Sequence, residues 1–297
     1  MRPVLLVVAA AVCFGTTGTA QAYGPDAAST TAVGLTRIVA GGSLLAAVAW
    51  LAARRSPVRA AVPRLSPGVV LLGGAAVLAY QPTFFAGVRS NGVAVGTVMA
   101  LGAAPALTGL LEWLVTRRLP SRPWFVATGC AVIGVGLLGG LLDEADASIS
   151  LPGIAGSLGA ALSYAIYALA AKRLLDEGAS ATTAIGSIFG VAAVLGAPFL
   201  LLVDLSWLGS VSGLAMVAWL AAATVALAYV LFAIGLRSLK ASTVSTLTLV
   251  EPMTACLLGI VLLDERLSAP GWVGLGILLC GVVLLAVPSR RAAVVAV

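Results

Sequence analysis

Apolar residues in this chain neither alternate with polar ones nor recur every third or fourth position. They run together for about 20 residues at a time, and the charged residues collect in short gaps between the runs. Ten such runs cover about 4–23, 31–53, 67–88, 91–115, 124–142, 153–171, 183–203, 212–236, 242–263 and 270–287. Each is long enough to cross a hydrocarbon core of roughly 30 Å as a helix. Barrel strands would be about half as long and would alternate in polarity. Lipid offers the backbone no hydrogen bonds, so apolar runs of this length fold as helices. The pattern predicts an all-α integral membrane protein with ten transmembrane helices.

Composition supports that reading. Hydrophobic residues make up 61% of the chain and charged residues 9%, against about 25% charged in soluble domains; mean hydropathy is +1.11. Arg2, the apolar residues 4–12 and Ala20-Gln21-Ala22 imitate a cleavable signal peptide. Cleavage would delete the first span and leave an unmatched bundle, so the segment is read as a helix. Cys13, Cys130, Cys256 and Cys280 lie inside apolar runs without metal-ligand spacing and read as small buried hydrophobes.

The runs repeat. Ala104-Pro105, Leu110-Leu111, Arg118-Leu119 and Trp124 are echoed by Glu251-Pro252, Leu257-Leu258, Arg266-Leu267 and Trp272. The prolines stand 147 residues apart (105 and 252), the tryptophans 148 (124 and 272), and Ala79-Tyr80 returns 149 later as Ala228-Tyr229. A duplication at half the chain length predicts two five-helix repeats, over residues 1–145 and 150–290. In a membrane protein this arrangement points to a transporter built around a shared site.

Charge sets the orientation. With the N-terminus in the cytoplasm, the inner segments hold Arg2, Arg54, Arg55, Arg59, Arg64, Arg117, Arg118, Arg122, Lys172, Arg173, Arg237, Lys240, Arg290 and Arg291, fourteen of the 17 basic residues. The outer loops keep Arg89 and Arg266, together with Asp26, Asp143, Glu144, Asp146, Asp204, Asp264 and Glu265. The positive-inside rule therefore places both termini in the cytoplasm of a multi-pass plasma-membrane protein. Five spans per repeat is an odd number, so the second repeat enters the membrane inverted. A net charge of +6 spread in short clusters is a topology signal rather than a nucleic-acid footprint.

Three ionisable residues interrupt the runs. Glu251 lies about 13 Å into its span and Arg37 about 9 Å into its own. A charge near the midplane costs at least about 2.5–3.5 kcal/mol, so Glu251 faces the interior, finds a partner or is protonated. It reads either as a contact for a cationic substrate group or coupling proton, or as a packing acid bonded to Ser, Thr or Arg. Pro252 deprives the carbonyl of residue 248 of its helix donor, which would offer polar backbone to a cavity. Arg37 reads as an ion-pair partner or gate, as a bidentate holder of a substrate carboxylate, or as a side chain that snorkels outward. Glu112 reads as a partner of Arg117 and Arg118. Thr16, Thr17 and Thr19 in the first span, Gln81 in the third, and Ser242, Thr243, Ser245, Thr246 and Thr248 in the ninth are candidate cavity polars, with interhelical packing as the alternative. Trp50, Trp113, Trp124, Trp207 and Trp272 lie near span ends and read as an interfacial belt. Tyr80, Tyr164, Tyr167 and Tyr229 lie within spans and would suit the wall of a cavity for amphipathic solutes, or the core. Gly92/Gly96, Gly136/Gly140 and Gly186/Gly190 have close-approach spacing and read as bundle packing, with no oligomeric state inferred.

Glu251-Pro252-Met253-Thr254-Ala255 followed by Leu262-Leu263-Asp264-Glu265-Arg266-Leu267-Ser268 resembles the signature of the EamA family of the drug/metabolite transporter superfamily. Ser163-Tyr164-Ala165-Ile166-Tyr167, Ala228-Tyr229-Val230-Leu231-Phe232 and Arg37 are similar to family patterns as well. The resemblance covers the whole chain as two repeats. In the first, Ala104 and Arg117 stand where the pattern has Glu, so an acidic role carried over from the family applies to the second repeat alone. The resemblance implies a ten-helix bundle, a central cavity opening to each side in turn, and small-metabolite transport, most often outward.

A secondary exporter of amino acids or related amphipathic compounds is the leading expectation, with uptake or passive exchange as its rival. The chain lacks histidine and any GxxxxGK[ST] loop, which argues against His-based catalysis and against direct use of ATP. No enzyme activity and no cofactor are expected. The expected partners are a small-molecule substrate, the lipid bilayer and a coupling proton. A non-transporting sensor or assembly factor would need a partner surface that the sequence does not suggest.

Overall fold

The computed structural model describes residues 1–55, 65–140 and 150–286. Arg59, Arg64, Asp143, Glu144, Asp146, Arg290 and Arg291 of the charge argument lie outside them. The described residues are all-helical and contain no strand. Ten helices follow in chain order: α1 (Arg2–Ala22), α2 (Thr30–Arg55), α3 (Pro67–Asn91), α4 (Val93–Thr116), α5 (Arg122–Leu138), α6 (Leu151–Asp176), α7 (Ala181–Leu202), α8 (Val211–Ser238), α9 (Ala241–Leu262) and α10 (Ala269–Ala286). Among the described residues, nine are long and apolar enough to cross a membrane, and α5 is a shorter apolar helix of 17 residues.

Local chemistry sets the helix starts. Ser150, Ser180 and Ser210 precede α6, α7 and α8, and their hydroxyls accept from the N–H groups of Gly153, Thr183 and Gly213. This is N-capping of backbone donors that have no helical partner. Pro occupies the first turn of α3, α5 and α6, where its missing N–H costs nothing.

Helix pairs form where small residues admit a neighbour. Gly42 of α2 lies under the Phe189 carbonyl of α7, and Gly186 of α7 lies against Leu45 of α2. Gly87 of α3 meets Ser157 of α6, and Gly134 of α5 meets Gly274 and Leu278 of α10. Gly15 of α1 abuts the Glu251 carbonyl and Thr254 of α9; Gly235 of α8 abuts Pro3 and Val7 of α1. Acyl chains are as apolar as leucine, so close backbone approach rather than hydrophobic burial drives such packing. The main pairs are α3 with α6, α1 with α8, α4 with α6, α1 with α9, α2 with α7 and α5 with α10. Exchanging α1–α5 for α6–α10 returns the same set. Large apolar side chains such as Leu72, Phe125, Ile133, Val194 and Leu201 remain exposed on the outside, as a lipid-facing surface requires.

Contacts gather the described inner-segment cations at one end of the bundle. Pro3 and Gly235 meet there, the Lys172 ammonium donates to the Arg237 carbonyl, and the end of α4 and the start of α5 meet the start of α9. Two of the belt tryptophans belong elsewhere. Trp124 and Trp207 are 5% and 3% exposed, and their indoles donate to the carbonyls of Ser242 and Asp204. Each sits at a span end but points inward, because a backbone carbonyl is available to it there. Trp50 and Trp272 are exposed, and the Arg54 guanidinium lies 3.7 Å over the Trp50 ring. In the α7–α8 connection, the N–H and hydroxyl of Ser206 bond Asp204 and hold its carboxyl below the usual range.

Candidate functional site

α9 is interrupted in mid-membrane. Helix runs over Ala241–Leu247, turns at Thr248 and Leu249, and resumes over Val250–Leu262. Pro252 is the cause, since it has no N–H for the carbonyl of Thr248. That carbonyl is not left open, which corrects the expectation of free polar backbone: it accepts from Glu251 N–H at 2.9 Å, three residues on. The tighter turn leaves the Glu251 side chain on the wall of the central cavity.

The cavity has two connected parts. An inner chamber of about 100 Å³ is lined by Tyr164, Tyr167, Tyr229, Ser245 and Thr248, among others. A vestibule of about 720 Å³ is lined by Thr17, Phe84, Leu138, Pro252 and Leu263, among others. Arg37, Tyr80, Gln81, Leu101 and Glu251 line both. The vestibule lies toward the end where α1, α3, α5 and α9 finish, opposite the basic cluster. Thr16 departs from the expected set. It accepts from the Trp219 indole at 3.0 Å and lines a separate groove with Tyr23 and Met216. One helical step of about 100° from Thr17 turns it off the cavity wall.

Arg37 and Glu251 are the charges within the cavity's span-borne wall. They do not form the ion pair the sequence allowed: the ion pairs among the described residues are Lys172–Asp176 and Arg173–Glu177. Arg37 donates instead to the carbonyl of Thr224 at 3.4 Å, and its Nε–H is buried without a partner. Thr224 lies in a π-helical stretch of α8, Leu220–Leu227. Such widened turns concentrate at functional sites, and nothing in the apolar sequence of α8 signals this one. Among the described residues, none donates a hydrogen bond to the Glu251 carboxylate, so its partner as a packing acid is missing too.

The tyrosines form one wall with neighbouring phenylalanines. The Tyr229 ring lies 4.2 Å from Phe189 and 4.8 Å from Phe14, and Tyr80 stacks on Phe84 at 5.8 Å. The Tyr164 hydroxyl shares a 3.2 Å hydrogen bond with Thr248, while the Tyr167 hydroxyl is buried with no partner. Phe14 joins the wall although sequence reasoning did not select it as a site residue.

Beyond the chamber, polar contacts join α4 and α5 to the first segment of α9. Ser242 N–H donates to Glu112 Oε2 at 3.1 Å, and the Trp124 indole donates to the Ser242 carbonyl at 3.0 Å. Thr128 and Thr246 share a 2.9 Å bond, and Thr108 donates to Ser245 at 3.3 Å. Glu112 therefore pairs with the start of α9, not with Arg117 and Arg118 as expected. It is 7% exposed, and a free N–H at a helix start favours an anion there. Thr108 and Thr128 were not singled out, since a lone threonine in an apolar run carries no sign of what it faces.

The EamA-like transporter family matches residues 1–140 and 151–287. The chain belongs to the EamA-like transporter family. It is accordingly a multi-pass membrane transporter. It is 36% identical over 288 residues to the uncharacterized transporter YwfM of Bacillus subtilis (strain 168), covering 97% of this chain and 94% of YwfM. It is 34% identical over 206 residues to the threonine/homoserine exporter RhtA of Escherichia coli (strain K12), covering 66% of this chain and 67% of RhtA. A solved crystal structure shares the fold with a TM-score of 0.79 at 18% identity over 98% of each chain.

Proposed function

We propose that this member of the family is a secondary exporter of amino acids or closely related zwitterions, working by alternating access. One observation carries the reading: a guanidinium and a carboxylate face the same cavity, do not pair with each other, and keep binding capacity unused. A solute with a carboxylate for Arg37 and an ammonium for Glu251 would complete both, in a space where unpaired charge is expensive. The tyrosine and phenylalanine wall would take an apolar side chain. RhtA, by its name, exports threonine and homoserine, which makes these the first solutes to test.

The mechanism we propose uses the two halves, residues 1–145 and 150–290, as inverted repeats. The symmetric set of helix pairs supports this, as does the double family match. With cytoplasmic termini in the plasma membrane, the vestibule faces outward and the Glu112–Ser242 contacts form the closed inner gate. A substrate or proton on Glu251 would change the charge at the break in α9 and bias the exchange between states. Passive exchange would work with the same cavity and no proton.

The test is counterflow in liposomes reconstituted with the purified protein and loaded with threonine, homoserine and a panel of other amino acids. Saturable exchange is expected, weakened at least tenfold by Arg37→Gln and by Glu251→Gln. Absence of flux for every zwitterion in the panel would overturn the substrate reading. Wild-type pH dependence in Glu251→Gln would remove the proton role alone.

A further inference from the structure

We propose that the groove between α2, α3 and α7 is a phospholipid site, with an acyl chain along the groove and the phosphate on Arg89. The groove has a volume of about 800 Å³ and is lined chiefly by apolar side chains, including Leu35, Leu78, Phe85, Leu195, Phe199 and Leu202. Phe199 and Leu202 are 51% and 79% exposed, so it lies on the outer surface of the bundle, toward lipid. On α3 its residues Ala75, Leu78, Pro82, Phe85 and Arg89 recur every three or four positions and form one stripe. From residue 75 to residue 89 that stripe measures about 21 Å, more than the roughly 15 Å depth of one leaflet's hydrocarbon. An acyl chain of one leaflet fits lengthwise.

Arg89 decides what the occupant is. It is the groove's charged residue, sits in the last turn of α3 and is exposed. No ion pair among the described residues includes it. It also stands at the end of the bundle opposite the basic cluster, where few cations are placed. A guanidinium at that depth recognises phosphate by a pair of parallel hydrogen bonds. Water would gain little from an apolar groove. A second copy packed face to face through the same stripe would bring two Arg89 side chains together, which like charges oppose. A phospholipid of the nearby leaflet satisfies both the apolar length and the charge. Ile38 and Gln81 line this groove and the central chamber alike, so the lipid would rest against the wall of the transport cavity.

The site does not depend on the choice of transported solute. It is tested by native mass spectrometry of the full chain in mild detergent, titrated with dioleoyl phosphatidylglycerol. One tight adduct is expected. Arg89→Gln should weaken it about fivefold, the worth of one basic residue against an anionic surface. Arg89→Lys should retain most of the affinity, and Ala86→Trp, at a position that lines the groove, should abolish the adduct by filling it. Glycerol phosphate, which lacks the chain, should not compete. Unchanged affinity in both Arg89→Gln and Ala86→Trp would overturn the proposal. So would competition by glycerol phosphate, or loss of a protein dimer in place of the lipid adduct. Arg89 is exposed, so Arg89→Gln should fold and remains informative even if the groove-filling variant does not.

Discussion

Replacing Glu112 by alanine removes the acceptor of the Ser242 N–H, which lies 3.1 Å from Oε2. Two magnitudes compete for what this contact contributes. Interhelical hydrogen bonds in bilayers average about 0.6 kcal/mol, whereas hydrogen bonds to a charged group contribute about 1.5–3 kcal/mol. Glu112 is 7% exposed and bonds the first turn of a helical segment, where the axial dipole adds to the attraction. The larger range should apply. If these contacts close one end of the cavity, their loss shifts the equilibrium toward opening there by about 10- to 150-fold. Ala104 lines the inner chamber and is 7% exposed. In a chain freed of its native cysteines, Ala104→Cys should react slowly with an impermeant maleimide applied from the Glu112 side. Adding Glu112→Ala should speed labelling at least tenfold, and Glu112→Gln, which keeps an acceptor oxygen, should speed it less. A change below threefold in Glu112→Ala would refute the assignment of this contact as the closure.

Three further expectations follow from the packing. In Gly15→Ala the new Cβ would fall 2.8 Å from the Glu251 carbonyl and 2.6 Å from Thr254 Cβ, forcing α1 from α9 at a cost of about 1–3 kcal/mol; a thermal midpoint in detergent equal to wild type would contradict the close approach. Trp124→Phe replaces the indole by a smaller phenyl and removes the 3.0 Å bond to the Ser242 carbonyl, and should destabilise by at least about 0.5–1.5 kcal/mol in the same melt, since the buried ring also loses volume; an unchanged midpoint would contradict the contact. Cys256 lines the vestibule and should react with an impermeant maleimide on intact cells; labelling confined to inverted vesicles would reverse the orientation drawn from charge.

Much of this molecule was legible before any coordinates, because lipid is an unforgiving solvent. A span must be long and apolar, so the boundaries of the runs are written in composition. A charge inside a span is costly, so Arg37 and Glu251 announced themselves, and Pro252 marked the break beside them. What the sequence could not convey is direction around a helix axis, since spans apolar on all sides have no polar face to orient them. Thr16 and Thr17 look alike in sequence and separate only by a step of rotation. Trp124 sits where a belt residue would sit, yet only the approach of α9 supplies the Ser242 carbonyl that turns it inward. Glu112 has arginines five and six residues away in the chain, but the start of α9 lies closer in space. The π-helical turn that receives Arg37 is built from residues indistinguishable from ordinary span. Solvent exclusion, a property of the chain alone, determined the count and extent of the helices; which polar groups meet depended on how ten helices rotate and pack, and that was decided only in three dimensions.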